Sequence, residues 1–284
     1  MTASSGPQRV HGAHGVPLTV CVPAGEARGG IVVVQEIYGV TEHLVAVTEA
    51  LAAQGYLAVA PHLYHRVAYA PVRTYREARP LARGLTGQDI RHDLDDALGA
   101  LGSAGIGLER TGILGYSMGG TVALWAAATM PIAAAVSFYG AGLGRSRWPG
   151  VPAGLESAAA LRAPWLGLFG DRDSSIPVDQ VEALQAILAS AASRETTASA
   201  RAEASRESAA SRGEAPPTAG SRASVSPPST VLPASPTSPV PAAVVRYPHA
   251  GHGFASGPGS RHYRPGDAAD AWARAAAWFD THLG

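Results

Sequence analysis

Three residue types along this chain have the chemistry and the order needed for nucleophilic acyl transfer. Ser117 sits in Gly115-Tyr116-Ser117-Met118-Gly119, directly after an apolar run and before a helix-like one. A free serine hydroxyl is a weak nucleophile, so it needs a base to remove its proton and an acid group to orient that base. Downstream, the run 164–170 ends in Asp171-Arg172-Asp173, and the run 242–248 ends in His249-Ala250-Gly251-His252-Gly253-Phe254. The order serine, aspartate, histidine is the one that a nucleophile elbow requires of its partners.

Each partner loop offers two candidates. Asp173 best fits the acid, because it stands just before Ser174-Ser175-Ile176-Pro177 and a helix start. Asp171 is the alternative, and either can equally be a helix N-cap. His252 fits the base better than His249, since Gly251 and Gly253 let the backbone turn and present the ring. Either histidine can otherwise be an ordinary loop residue facing solvent.

Such side chains need strand ends to hold them. Strand-length apolar runs at 18–22, 30–35, 56–61, 111–116, 133–139, 164–170 and 242–248 alternate with helix-period segments near 41–54, 87–104, 118–130, 178–189 and 266–282. That alternation predicts an α/β fold with a mostly parallel central sheet and helices on both faces. The helical stripes Ile90, Leu94, Leu98, Leu101 and Trp272, Ala276, Phe279, Leu283 read as sheet-facing surfaces. Residues 190–241, rich in Ser, Ala, Arg, Glu, Thr and Pro, hold eight prolines and no aromatic residue. The expectation is a disordered insertion in a single domain spanning 1–284.

Composition narrows the chemistry further. The 284 residues are 46% hydrophobic, and 22 Lys plus Arg balance 22 Asp plus Glu, so neither a basic nucleic-acid surface nor an acidic tail is indicated. The chain has no lysine, which removes Schiff-base chemistry and a phosphate-loop lysine. Cys21 is the only cysteine, so no intrachain disulfide forms. The ten histidines contain no HExxH-type spacing, and no metal or cofactor is expected. With no apolar leader and no long apolar run, the expectation is a cytoplasmic protein with no membrane partner; the oligomeric state stays open.

Taken together the motifs resemble the dienelactone hydrolase family of α/β-hydrolases. The resemblance rests on Gln35-Glu36-Ile37-Tyr38-Gly39, on Gly55-Tyr56 with Ala60-Pro61-His62-Leu63-Tyr64, on the elbow through Gly120, on Gly170 to Asp173, and on Tyr247-Pro248 leading to Gly251-His252-Gly253-Phe254. It implies an α/β-hydrolase fold, a triad of Ser117, Asp173 and His252, and an oxyanion hole from the backbone N–H groups of Met118 and Ile37. It also implies that Glu36 contacts the nucleophile, although a loop carboxylate at a helix N-terminus is the plainer reading.

The chain departs from that pattern in three places. Serine replaces the cysteine of the founding type at position 117, His62 replaces an aspartate, and Ser256 replaces an arginine that pairs with the substrate carboxylate. Arg73, Arg76, Arg79 and Arg83 can supply positive charge or form a solvated helical face. The function expected is cleavage of a small ester or lactone through an acyl-enzyme. A general carboxylesterase, a thioesterase or an acyltransferase fits the same scaffold. So does a non-catalytic binding protein that uses the Pro-rich tract.

Overall fold

The computed structural model describes residues 5–67, 72–211 and 240–284, with the backbone alone for 195–211. Eight strands form one sheet: β1 (Ser5–His11), β2 (Pro17–Val22), β3 (Gly29–Val34), β4 (Tyr56–Pro61), β5 (Thr111–Tyr116), β6 (Ala134–Phe138), β7 (Trp165–Gly170) and β8 (Ala242–Tyr247). Their spatial order is β1-β2-β4-β3-β5-β6-β7-β8. The pairs β1–β2 and β2–β4 are antiparallel and all the others parallel. Every residue of β3, β4, β5, β6 and β7 is buried, which is why these strands read as continuous apolar runs.

Seven α-helices occur among the described residues: α1 (Glu42–Ala53), α2 (Tyr75–Gly84), α3 (Gly87–Ser103), α4 (Met118–Thr129), α5 (Gly154–Ala159), α6 (Val178–Ser211) and α7 (Pro265–His282), the last following β8. A Cβ at Gly112 would strike Phe279 of α7, whereas one at Gly115 would strike the backbone of α4. Residues 112 and 115 differ by an odd number, so α7 and α4 cover opposite faces. His43 of α1 packs edge-on to Tyr116 on the α7 side, and Leu101 of α3 lies over Gly30 on the α4 side. Helices therefore cover both faces, as the sequence predicts for an α/β-hydrolase.

The structure adds elements that the sequence did not show and revises one. Strand β1 is exposed and polar, and α2 carries Pro80 inside it behind a Thr74–Glu77 capping box. Helix α6 runs on to Ser211, so the first part of the expected disordered tract, 190–211, is helical. The physical reason is local: all eight prolines of the tract fall at 216 or later, and the stretch before them is rich in Ala, Glu and Arg. The remainder of the expected insertion, 212–239, lies outside the described residues. Among the described residues no helix is long and apolar enough to cross a membrane.

The junction between β5 and α4 is the tightest place in the sheet. A Cβ on Gly119 would strike the carbonyl of Val34 at the end of β3, and one on Gly115 would strike the carbonyl of Gly119. Glycine at these two positions is what seats the first turn of α4 against the strand ends. Gly119→Ala is expected to cost about 2–3 kcal/mol through overpacking. A urea titration should show a lower midpoint at unchanged slope; an unchanged midpoint would mean that α4 shifts off β3 at no cost.

Candidate active site

Ser117 stands between β5 and α4 with φ 52° and ψ −108°, a conformation that few non-glycine residues adopt. Its N–H donates to the Phe138 carbonyl at 2.8 Å, which pins the turn to the neighbouring strand β6. The hydroxyl is thereby lifted to the carboxyl end of the sheet, next to the N-terminus of α4. Its Oγ lies 2.7 Å from Nε2 of His252.

His252 arrives on the loop after β8, which the Gly253 φ of +77° allows to turn sharply. Its Nδ1 lies 2.6 Å from Oδ2 of Asp173, whose side chain is fully buried. The other carboxylate oxygen, Oδ1, accepts the Ser175 N–H at 2.7 Å, so the acid is held from both sides. A carboxylate can only accept, which assigns the imidazole proton to Nδ1 and leaves Nε2 to accept from the serine hydroxyl. Such an arrangement can remove the Ser117 proton as the oxygen attacks a carbonyl.

The structure separates the paired candidates. Asp171 accepts from Arg246 Nε at 2.8 Å, and His249 meets Arg172 at 3.3 Å on the surface. Neither reaches Ser117. His62 is a structural residue: Thr19 Oγ1 lies 2.9 Å from its Nε2 and Arg9 3.3 Å from its Nδ1. Burial first, then the charges of Arg9 and His65, push the His62 pKa down to about 4. His65 and Arg66 both turn to buried Asp93. No group of three or more metal-ligating side chains occurs among the described residues. The sole cysteine is buried in β2, where burial pushes its thiol up to about 11, away from nucleophilic use.

Two backbone N–H groups that the resemblance names, those of Met118 and Ile37, lack partners among the described hydrogen bonds. Met118 is the first residue of α4, where no intrahelical acceptor exists, and Ile37 follows Glu36 on the loop after β3. Tyr64 joins the two residues: its hydroxyl donates to the Ile37 carbonyl at 3.0 Å and lies 3.4 Å from the Met118 sulfur. The sequence reading quoted Tyr64 only as part of a motif. Its place at the end of the block after β4, on the same side of the sheet as Ser117, was the available signal.

The comparisons with known proteins decide the family. The dienelactone hydrolase family profile matches residues 18–197 and 234–283. The chain belongs to the dienelactone hydrolase family. A Yersinia pestis protein, provisionally named a carboxymethylenebutenolidase, is 30% identical over 263 residues, covering 89% of this chain and 78% of that one. A Bradyrhizobium protein, provisionally named a 2-oxo-3-(5-oxofuran-2-ylidene)propanoate lactonase, is 30% identical over 145 residues, covering 50% of this chain and 58% of that one. A solved structure from Klebsiella pneumoniae subsp. pneumoniae, provisionally described as a dienelactone hydrolase, superposes with a TM-score of 0.73 at 26% identity, covering 98% of both chains.

Within this dienelactone hydrolase family member, Glu36 does not hydrogen-bond the nucleophile. It is 9% exposed, and its Oε2 accepts from Ser256 Oγ at 3.4 Å. Burial raises its pKa above the ordinary glutamate range, against the opposing pull of the Ser256 hydrogen bond and of His252. The four arginines of 73–83 lie exposed on or beside α2. A different arginine, not singled out from the sequence, is Arg147, also exposed, whose guanidinium carbon lies 6.0 Å from the Trp148 ring centroid with Tyr64 and Tyr75 nearby. Burial lowers its pKa below the ordinary guanidinium range, and no carboxylate among the described residues pairs with it.

Proposed function

We propose that this chain hydrolyses a small ester or lactone through an acyl-enzyme on Ser117. The observation that carries the reading is the unbroken chain Asp173–His252–Ser117, with contacts of 2.6 and 2.7 Å, ending on a serine held at an elbow. As Ser117 Oγ bonds to the substrate carbonyl carbon, its proton passes to His252 Nε2. The N–H groups of Ile37 and Met118 then stabilise the negative oxygen. Collapse of the adduct breaks the bond to the leaving oxygen, which takes the proton from His252. Water enters, gives its proton to His252 and displaces the serine, which regains its own. The Bradyrhizobium relative's lactonase name favours lactones among the first substrates to try.

Stopped-flow hydrolysis of 4-nitrophenyl acetate tests the reading: one equivalent of nitrophenolate should appear in a burst before the steady rate. Failure to turn over short esters and a lactone panel alike would reverse it and favour a binding role. Arg147, which has no carboxylate partner among the described residues, adds a preference for acyl groups that carry negative charge. Arg147→Gln is expected to lower kcat/KM for the 4-nitrophenyl monoester of succinate about tenfold, the size of one charge-assisted hydrogen bond. The neutral acetate ester should change less than about twofold, and an equal loss on both esters would mean that Arg147 supports the loop and does not select the substrate.

A further inference from the structure

We infer that Tyr139 is a positioning residue of this site, fixing the His252 ring by contact and the Glu36 carboxyl through Ser256. Two non-glycine residues have positive φ among the described residues, Ser117 at 52° and Tyr139 at 41°. They follow the ends of the adjacent strands β5 and β6. A strained backbone of this kind persists only where its surroundings hold it, and it concentrates where geometry matters for function. Here the Tyr139 N–H donates to the Leu168 carbonyl at 2.8 Å, and the side chain is fully buried.

The conformation aims the phenol at two groups. Its ring meets the imidazole of His252 edge-on, with centroids 5.1 Å apart, and is backed by Phe254 at 5.4 Å. Its hydroxyl lies 3.0 Å from Ser256 Oγ, which in turn donates to Glu36 Oε2. Ser256 has one proton and gives it to Glu36, so the phenol must donate to Ser256. The result is a directed chain, Tyr139 to Ser256 to Glu36, that ends on a carboxyl coupled electrostatically to His252. Released from this chain, Glu36 is free to turn and compete for the proton that His252 must take from Ser117. The inference rests on the serine hydrolase reading above.

The test is a double-mutant cycle on the acylation rate with 4-nitrophenyl acetate. Tyr139→Phe keeps the ring and removes the hydroxyl. It should lower the acylation rate about tenfold with KM changed less than twofold, and Ser256→Ala should do the same. Because the hydroxyl acts through Glu36, Tyr139→Phe should cause no further loss in a Glu36→Gln background. Equal losses in both backgrounds, or no loss in either, would overturn the inference. Failure of the wild-type protein to turn over short esters and the lactone panel would instead remove the serine reading on which it rests. Thermal unfolding of each variant verifies that the comparison is between folded proteins.

Discussion

Ser117→Ala is expected to lower kcat on any ester substrate by about four orders of magnitude or more. The magnitude follows from what the substitution removes. Without Oγ no acyl-enzyme forms, and water must attack directly in a site whose base is placed 2.7 Å from the missing oxygen. The N–H groups of Ile37 and Met118, without partners among the described hydrogen bonds, remain, so a residual rate above the uncatalysed reaction should survive. Ser117 is small and only partly buried, and alanine fills the same place at the elbow. The variant should therefore unfold at nearly the wild-type temperature. A residual rate within tenfold of wild type would place the chemistry elsewhere.

Asp173→Asn is the second large effect, about 10⁴-fold in kcat, and its cause is the tautomer of His252. The asparagine oxygen is drawn to the Ser175 N–H, which donates to Oδ1 at 2.7 Å in the native site. The amide NH₂ then faces Nδ1, where the carboxylate accepts at 2.6 Å. A donor in that place shifts the imidazole proton to Nε2, and Nε2 can no longer accept from Ser117. Asp171→Asn provides the control on the same loop, because its partner is Arg246. It should change kcat less than about threefold, as expected for a partly exposed ion pair. Comparable losses in the two variants would show that the loop, and not the Asp173 carboxylate, sets the rate.

The sheet and the elbow are legible in the sequence because the chemistry leaves few alternatives. Strands buried on both faces must be apolar throughout, and Gly115, Gly119 and the serine between them fit one kind of turn. Strand β1 escapes because an exposed edge strand needs no apolar pattern. Helix α2 has no place among the predicted core helices because Pro80 and four arginines in and beside it leave no apolar stripe, although a solvated helical face is one reading of those arginines. The extension of α6 was hidden by averaging: residues 190–211 share Ser and Thr with the proline-rich stretch that follows but not its prolines.

At the site, sequence order identifies the loops, and Ser174-Ser175-Ile176-Pro177 and the glycines beside His252 favour Asp173 and His252, but the contacts that occupy the other member of each pair are non-local. Asp171 and Asp173 are two apart after a strand, and the deciding contact is Arg246 on β8, 75 residues from Asp171 in sequence. The hydrogen bond that Glu36 makes is likewise to a partner 220 residues away, Ser256. Tyr139 left one trace, the Tyr-Gly pair after β6. Gly140 there approaches Gly120 so closely that a Cβ would lie 2.8 Å from its carbonyl carbon. Non-local contacts of this sort are set by the register of β5, β6 and β7, which composition and spacing do not encode.

The central claim is that Ser117 is an activated nucleophile, and a fluorophosphonate probe reads this without knowledge of the substrate. The purified protein should be labelled, digested and mapped by peptide mass spectrometry. One adduct is expected, on Ser117 in the peptide carrying Gly115 to Gly120, abolished in Ser117→Ala and strongly slowed in Asp173→Asn. No adduct under conditions that fully label a known serine hydrolase, or an adduct at another residue that persists in Ser117→Ala, would contradict it.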